Sequence, residues 1–296
     1  MKRRTVPIPP TEQPHPASRN LDRLPLPALL RLMNREDARA VRAVSRRLPQ
    51  IAQAVRLIGR TLTRGGRLFF VGAGTSGRLG VIEAAECPPT FSTDPSTVQA
   101  IIAGGRGAVF RSREGAEDDC ASARTAVRRR IRSADVVVGI AASGVTPFVA
   151  EALEGAARRG ARTILVTCHP RPAARADITI VLAVGPELLT GSTRLKAGTA
   201  TKLVLNMLTL GTMVRLGKTY GNLMVDVRPT SRKLRARAVR IIQSLTHRSE
   251  RSAEAWLRKA RGRVKLAVLM ASRGLTHAAA QRRLARANGS LREALT

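Results

Sequence analysis

Leu68-Phe69-Phe70-Val71-Gly72-Ala73-Gly74-Thr75-Ser76-Gly77-Arg78-Leu79-Gly80 passes from an apolar run, through a Gly/Ser/Thr turn, into helical spacing. The run reads as a buried strand and residues 76–86 as a helix. Strand, small-residue loop and helix together can hold a phosphate. The glycines let the backbone approach an anion, Thr75 and Ser76 offer hydroxyls, and the helix N-terminus supplies free N–H groups and a favourable dipole. A carboxylate, Glu86, follows roughly two to three turns further on.

Outward from this stretch, strand and helix patterns alternate from Arg67 to about Gly221. Strands are expected at 67–71, 98–102, 135–140, 163–167 and 178–182, and helices at 76–86, 112–131, 147–159 and 195–217. This is the signature of βαβ units and a parallel sheet, so the fold class is α/β. Two further Gly/Ser/Thr loops lie in the same region. One is Ala142-Ser143-Gly144-Val145-Thr146-Pro147, and the other is Thr190-Gly191-Ser192-Thr193-Arg194-Leu195-Lys196. A single such turn is common; three leading into helices in one α/β unit are not. None ends in Gly-Lys-Ser/Thr. Gly72, Gly74 and Gly77 match a dinucleotide spacing, but no acid ends the strand at 98–102 to hold a ribose. The hydroxyls favour a small phosphorylated ligand.

On the N-terminal side, residues 1–20 hold Pro7, Pro9, Pro10, Pro14 and Pro16 and read as an irregular or disordered arm. Residues 21–63 read as helices, over Asp22–Leu32 and Glu36–Arg60, with Pro49 breaking or kinking the second. On the C-terminal side, residues 228–296 have no strand pattern. They are rich in Lys and Arg against only Glu250, Glu254 and Glu293, and read as a small domain with helices at 231–245, 251–259, 262–273, 276–287 and 289–295.

The chain has 52 Lys and Arg against 20 Asp and Glu, a net charge of +32. Charge of that size invites a nucleic-acid reading. The excess is nearly all arginine spread along the chain, and with one Trp and one Tyr there is little to stack on bases. No nucleic-acid partner is expected. Cys87, Cys120 and Cys168 fit neither a disulfide framework nor a metal site, which suits a cytoplasmic protein. There is no run long enough for a membrane span and no secretory signal.

Acids are scarce enough for their placement to matter. Glu83 and Glu86 share one helix face, and Glu114 and Glu117 another. One of each pair reads as a solvated glutamate paired with Arg78 or Arg113. Glu86, among Ala84, Ala85, Cys87 and Pro88, has an apolar setting that can raise its pKa for acid/base work. Cys87 reads as a buried thiol. Lys196, Lys202 and Arg194 can reach an anion or simply decorate the surface.

These motifs, with Ala85-Glu86-Cys87-Pro88-Pro89-Thr90, Glu114-Gly115-Ala116-Glu117-Asp118 and Gly221-Asn222-Leu223-Met224-Val225-Asp226-Val227, resemble the N-acetylmuramic acid 6-phosphate etherases from about Thr11 to the C-terminus. The resemblance implies a sugar isomerase (SIS) fold, a three-layer sandwich with a central parallel sheet. Its catalytic domain would span 58–221, beside the N-terminal helices and the helical domain at 228–296. It also implies a homodimeric lyase, without cofactor or metal, acting on a small phosphosugar in cell-wall sugar recycling. Glu86 falls on the family's proton donor and Glu117 on its second acid/base residue, while Glu83 and Glu114 fall on less critical positions. Gly74, Thr75, Ser76, Gly77, Ser143, Gly144, Thr146, Ser192, Thr193 and Lys196 would hold the phosphosugar. One departure is the N-terminal Thr11-Glu12-Gln13-Pro14-His15-Pro16, whose prolines replace the family's usual continuation. The rival readings are a non-catalytic phosphosugar sensor, like the related glucokinase regulatory protein, and a nucleic-acid-associated SIS regulator.

Overall fold

The computed structural model describes residues 8–296; the arm's first seven residues lie outside it. The chain divides into two compact units. One holds the residues up to Ala84 together with Ser96–Leu208, the other Ala85–Pro95 with Thr209–Thr296.

The first unit is built on five parallel strands: β1 (Leu68–Gly72), β2 (Val98–Ile102), β3 (Val136–Ala141), β4 (Arg162–Thr167) and β5 (Ile178–Val181). Their order in the sheet is β2-β1-β3-β4-β5. All five expected strands are present within a residue or two. They are short and nearly all buried because both faces of the sheet are covered. Phe69, Val71, Val137 and Leu165 face a core shared with Val127 and Leu153. Phe70, on the opposite face by the strand's period of two, meets Gly80, where a Cβ would lie 2.8 Å from the Phe70 Cβ. Helix, sheet and helix layers follow, the expected α/β sandwich. Because β2 and β3 lie on opposite sides of β1, the connections reverse between β1 and β3. Ligands of open α/β sheets bind at the carboxyl ends of the strands beside such a reversal. The loops after β1 and β3 leave from there, with Gly72 in register with Ile140.

The helices differ from expectation in three places. First, α1 (Leu26–Ser45) and α2 (Leu48–Thr63) divide at Arg46 and Arg47, not near residue 33. Pro49 sits in the first turn of α2, where its missing N–H would have had no helical partner. Second, α3 (Gly74–Phe91) runs on through Pro88 and Pro89 and ends at Ser92, which takes a left-handed φ of 51°. Third, the single helix expected at 112–131 is broken into a 3-10 turn at Ala116–Asp118 and α5 (Cys120–Arg130), and a short α4 (Gly107–Phe110) precedes it. Gly115, at φ 73°, makes the break, and Asp119 caps α5 by accepting from the Ser122 N–H at 2.8 Å. The remaining helices of this region are α6 (Pro147–Arg158) and α7 (Lys196–Arg215).

The arm is more ordered than expected over its described part. Pro10–Glu12 and Pro16–Ser18 form 3-10 turns, and Thr11 and His15 are buried.

The second unit contains α8 (Arg232–Thr246), α9 (Glu250–Lys259), α10 (Val264–Arg273), α11 (His277–Arg286) and α12 (Leu291–Leu295), at the expected positions. Ser231, Ser249, Thr276 and Ser290 cap four of them. α10 is apolar nearly all round and is buried from Val264 to Ala271. Its one buried charge, Lys265, donates to Asp226 Oδ2 and to the carbonyls of Gly217 and Gly289, all within 2.8 Å. Three donors thus meet three acceptors.

Candidate functional site

The first loop is a tight turn made possible by its glycines. A Cβ on Gly72 would lie 2.7 Å from the Gly77 nitrogen, and one on Gly77 would lie 2.6 Å from the Gly72 carbonyl oxygen. Gly74 opens α3 at φ 51°. The dinucleotide-like spacing therefore reflects a close strand-to-helix return. In the second loop Gly144 has φ 75°, and a Cβ there would lie 2.5 Å from the His169 Cβ. The Ser143 hydroxyl accepts from the Val145 N–H, and Thr146 takes the N-cap position of α6 without using its hydroxyl as the cap.

The third loop meets the first at Gly198. A Cβ on Gly198 would lie 3.3 Å from the Thr193 carbonyl oxygen and 3.7 Å from Thr75 Cγ2. Residues more than a hundred positions apart therefore converge, through a glycine, at the starts of α3 and α7.

Glu117 belongs to the same region. A cleft of roughly 120 Å³ is lined by Ala73, Gly74 and Arg78 on one side and Ser112, Glu114 and Glu117 on the other. Arg78 donates through Nε to the Val109 carbonyl at 3.0 Å, and Glu114 accepts from the Ser112 hydroxyl at 2.9 Å. Glu117 is exposed.

Glu86 lies on the part of α3 that belongs to the second unit, and it is exposed. The apolar enclosure expected from its small neighbours is absent in the single chain, because Ala85 is exposed beside it. The buried member of that pair is Glu83, which pairs with Lys202 of α7 and not with Arg78. Lys202 also donates to Asn206 Oδ1.

Lys196, expected to hold the phosphate, is engaged elsewhere. Its side chain is 2% exposed, and its ammonium donates at 2.7 Å both to Glu36 Oε2 and to the Pro186 carbonyl. His15 Nε2 lies 3.1 Å from the same Glu36 oxygen. The backbone N–H groups of Lys196 and Ala197, at the start of α7, donate to the Glu187 carboxylate at 3.1 and 2.8 Å. Burial works to raise the Glu36 carboxyl, but the bond to Lys196 and its charge, with His15 and Arg39, hold it below the usual range. Glu187 is pushed up by burial, against its two backbone bonds. Glu36 and Glu187 carry no local motif; Glu36 lies 160 positions from the lysine it binds.

Cys87 and Cys168 are buried and form no disulfide. Burial, and secondarily the charge of Glu187, pushes Cys168 up to about 12, so it is no thiolate near neutrality.

With this geometry in place, the chain's relatives can be set beside it. Residues 50–157 match the glucokinase regulatory protein N-terminal SIS domain family. The N-acetylmuramic acid 6-phosphate etherase of Nostoc sp. is 53% identical over 288 residues, 96% of this chain and 94% of that protein. The protein of the same name from Gloeobacter violaceus is 57% identical over 263 residues, 88% of this chain and 86% of that one. Among solved structures, a phosphoheptose isomerase from Francisella tularensis is 18% identical, covers 65% of this chain and 99% of that one, and has a TM-score of 0.48.

Proposed function

The chain belongs to the N-acetylmuramic acid 6-phosphate etherase family, and we infer that its Ser/Thr loops hold a sugar 6-phosphate while Glu86 and Glu117 move the protons. The protein is a carbon–oxygen lyase of cell-wall amino-sugar recycling. Its reaction converts N-acetylmuramic acid 6-phosphate and water to N-acetylglucosamine 6-phosphate and D-lactate.

In the open-chain sugar the C2 proton is α to the C1 aldehyde, and the lactyl ether oxygen at C3 is a β leaving group. Glu117 removes the C2 proton. The electrons form the C2–C3 double bond, the C3–O bond breaks, and Glu86 delivers a proton to the departing lactate oxygen. Water then adds at C3 of the unsaturated aldehyde and a proton returns to C2. Carboxylates suit both roles, because each can hold a proton at one step and release it at the next.

The observation that carries this reading is the convergence of Thr75 and Thr193 on Gly198, on the side of the fold where the Glu117 cleft opens on the start of α3. In this reading Gly74, Thr75, Ser76 and Gly77 grip the phosphate from the start of α3. Ser143, Gly144 and Thr146 approach it from the loop after β3, and Ser192 and Thr193 from the third loop. The catalytic domain spans 58–221 and the helical domain 228–296. The deciding measurement is D-lactate release from purified protein supplied with N-acetylmuramic acid 6-phosphate. Release that disappears in Glu86→Ala supports the assignment. Binding of the phosphosugar without any lactate would make the protein a sensor.

The working unit in this proposal is a cytoplasmic homodimer. Met207, Leu210 and Val214 form an exposed apolar stripe along α7, at the spacing of a helix–helix seam. A second copy covering this stripe would remove it from water. Leu210→Glu should then shift sedimentation from dimer to monomer.

A further inference from the structure

Four side chains unused by the chemistry above are buried together at the base of the third loop: His15, Glu36, Glu187 and Lys196. The sequence assigned Lys196 to the phosphate, but its ammonium is already held by Glu36 and the Pro186 carbonyl. The N–H groups that open α7 are likewise held by Glu187. We propose that Glu36, Lys196 and Glu187 are positioning residues, fixing the loop between them so that Ser192 and Thr193 meet the phosphate in one geometry. This rests on the reading of that loop as part of the phosphate grip.

The loop is held at three points. At its base, Glu187 reaches across to residues 196 and 197, so one carboxylate closes the chain from Leu188 to Leu195 into a ring. Behind that closure, the Lys196–Glu36 pair ties the ring to α1. At the tip, the Gly191 N–H donates to the Thr11 carbonyl at 3.0 Å. The Glu12 carboxylate packs against the same glycine so closely that a Cβ there would lie 2.6 Å from Glu12 Oε2. Such a loop cannot shift without breaking buried charge-assisted bonds at its base or backbone pairing at its tip. Fixing hydroxyls before the ligand arrives lowers the ordering cost of binding and holds the reacting atoms in place. The N-terminal arm thereby acquires a role as the outer clamp of the loop, its Pro10 and Pro16 each opening one of the two 3-10 turns.

The test is steady-state D-lactate release from N-acetylmuramic acid 6-phosphate, with inorganic phosphate as competitive inhibitor, in the full-length protein. Four variants are compared: Ser192→Ala, Lys196→Met, Glu36→Gln/Lys196→Met, and Glu12→Ala at an exposed position. Ser192→Ala reports the loop's direct contact. Lys196→Met and Glu12→Ala should raise KM, and weaken inhibition by phosphate in parallel, by about 10- to 100-fold with kcat nearly unchanged. The double variant replaces both charges by neutral groups of similar length and should recover part of the KM lost in Lys196→Met. A higher KM in Ser192→Ala with none in Lys196→Met or Glu12→Ala overturns the positioning role while leaving the loop on the phosphate. An unchanged KM in Ser192→Ala removes the phosphate from this loop and overturns both readings. If Lys196→Met does not fold, Glu12→Ala decides alone.

Discussion

The starts of α3 and α7 look alike in sequence, each a Gly/Ser/Thr loop running into a helix, yet the fold treats them differently. The first turn of α3 opens on a cleft that it shares with Glu117. The first turn of α7 is already occupied by a carboxylate of the protein itself, Glu187. A helix N-terminus attracts anions of either origin. In the proposed reading one end receives the substrate phosphate, while the other holds a loop. Lys196 follows the same division: it lies beside the closed end, and its charge answers Glu36.

The sharpest way to break the comparison is chemical. Glu86→Ala and Glu117→Ala should each reduce kcat by about 10²- to 10⁴-fold, the usual contribution of a positioned acid or base. A D-lactate assay showing either variant near wild type would remove that carboxylate from the reaction.

Next in size are the buried charges. Lys196→Met alone leaves Glu36 to His15 and the half-exposed Arg39, and Lys265→Met leaves Asp226 to Lys218 and removes the donor from two carbonyls in the second unit. Each should lose about 2–3 kcal/mol in denaturant unfolding, the cost of leaving buried polar groups short of a partner. At the open end, by contrast, Thr75→Val should leave stability within about 1 kcal/mol of wild type while raising KM. A large stability loss in Thr75→Val would erase the distinction between the two helix ends.

Gly144→Ala tests the loop beside them. The added methyl meets the His169 Cβ, and φ 75° strains any side chain, so a loss of about 1–3 kcal/mol is expected by thermal unfolding.

The smallest effect is with pH. A carboxyl held low in the folded state, as in Glu36, contributes stability that is present above its unfolded value, about 4.3, and fades as pH falls through its folded value. Glu187, pushed up by burial, opposes this: its protonation favours the folded state, so its contribution grows as pH falls through its raised value. Glu36→Gln should therefore flatten the acid limb of the stability curve below about pH 4.3. An acid limb identical to wild type would show that another group controls it.

The sheet was legible because short apolar strands alternate with helical segments, and the three central strands bury both faces. The three loops were legible because glycines and hydroxyls cluster there immediately before helical spacing. Helix boundaries were less so: Pro49 signalled a break but occupies a first turn, where proline is harmless, and the break at Gly115 required its positive φ to be seen. The acids divided in the same manner. Spacing brought Glu83 and Glu86 to one helix face, but only the packing of α7 buries Glu83 on Lys202 and leaves Glu86 exposed.

The sequence by itself determined the α/β class, the positions of the strands and the Gly/Ser/Thr loops, because these depend on local periodicity and on residue types that few other conformations tolerate. Only the tertiary structure decided which charges meet. Glu36, Glu187 and Lys196 are separated along the chain by distances that no local pattern encodes. A lysine's role depends on whether a carboxylate is buried within about 3 Å of it, since removing a charge from water is tolerable only with such a partner.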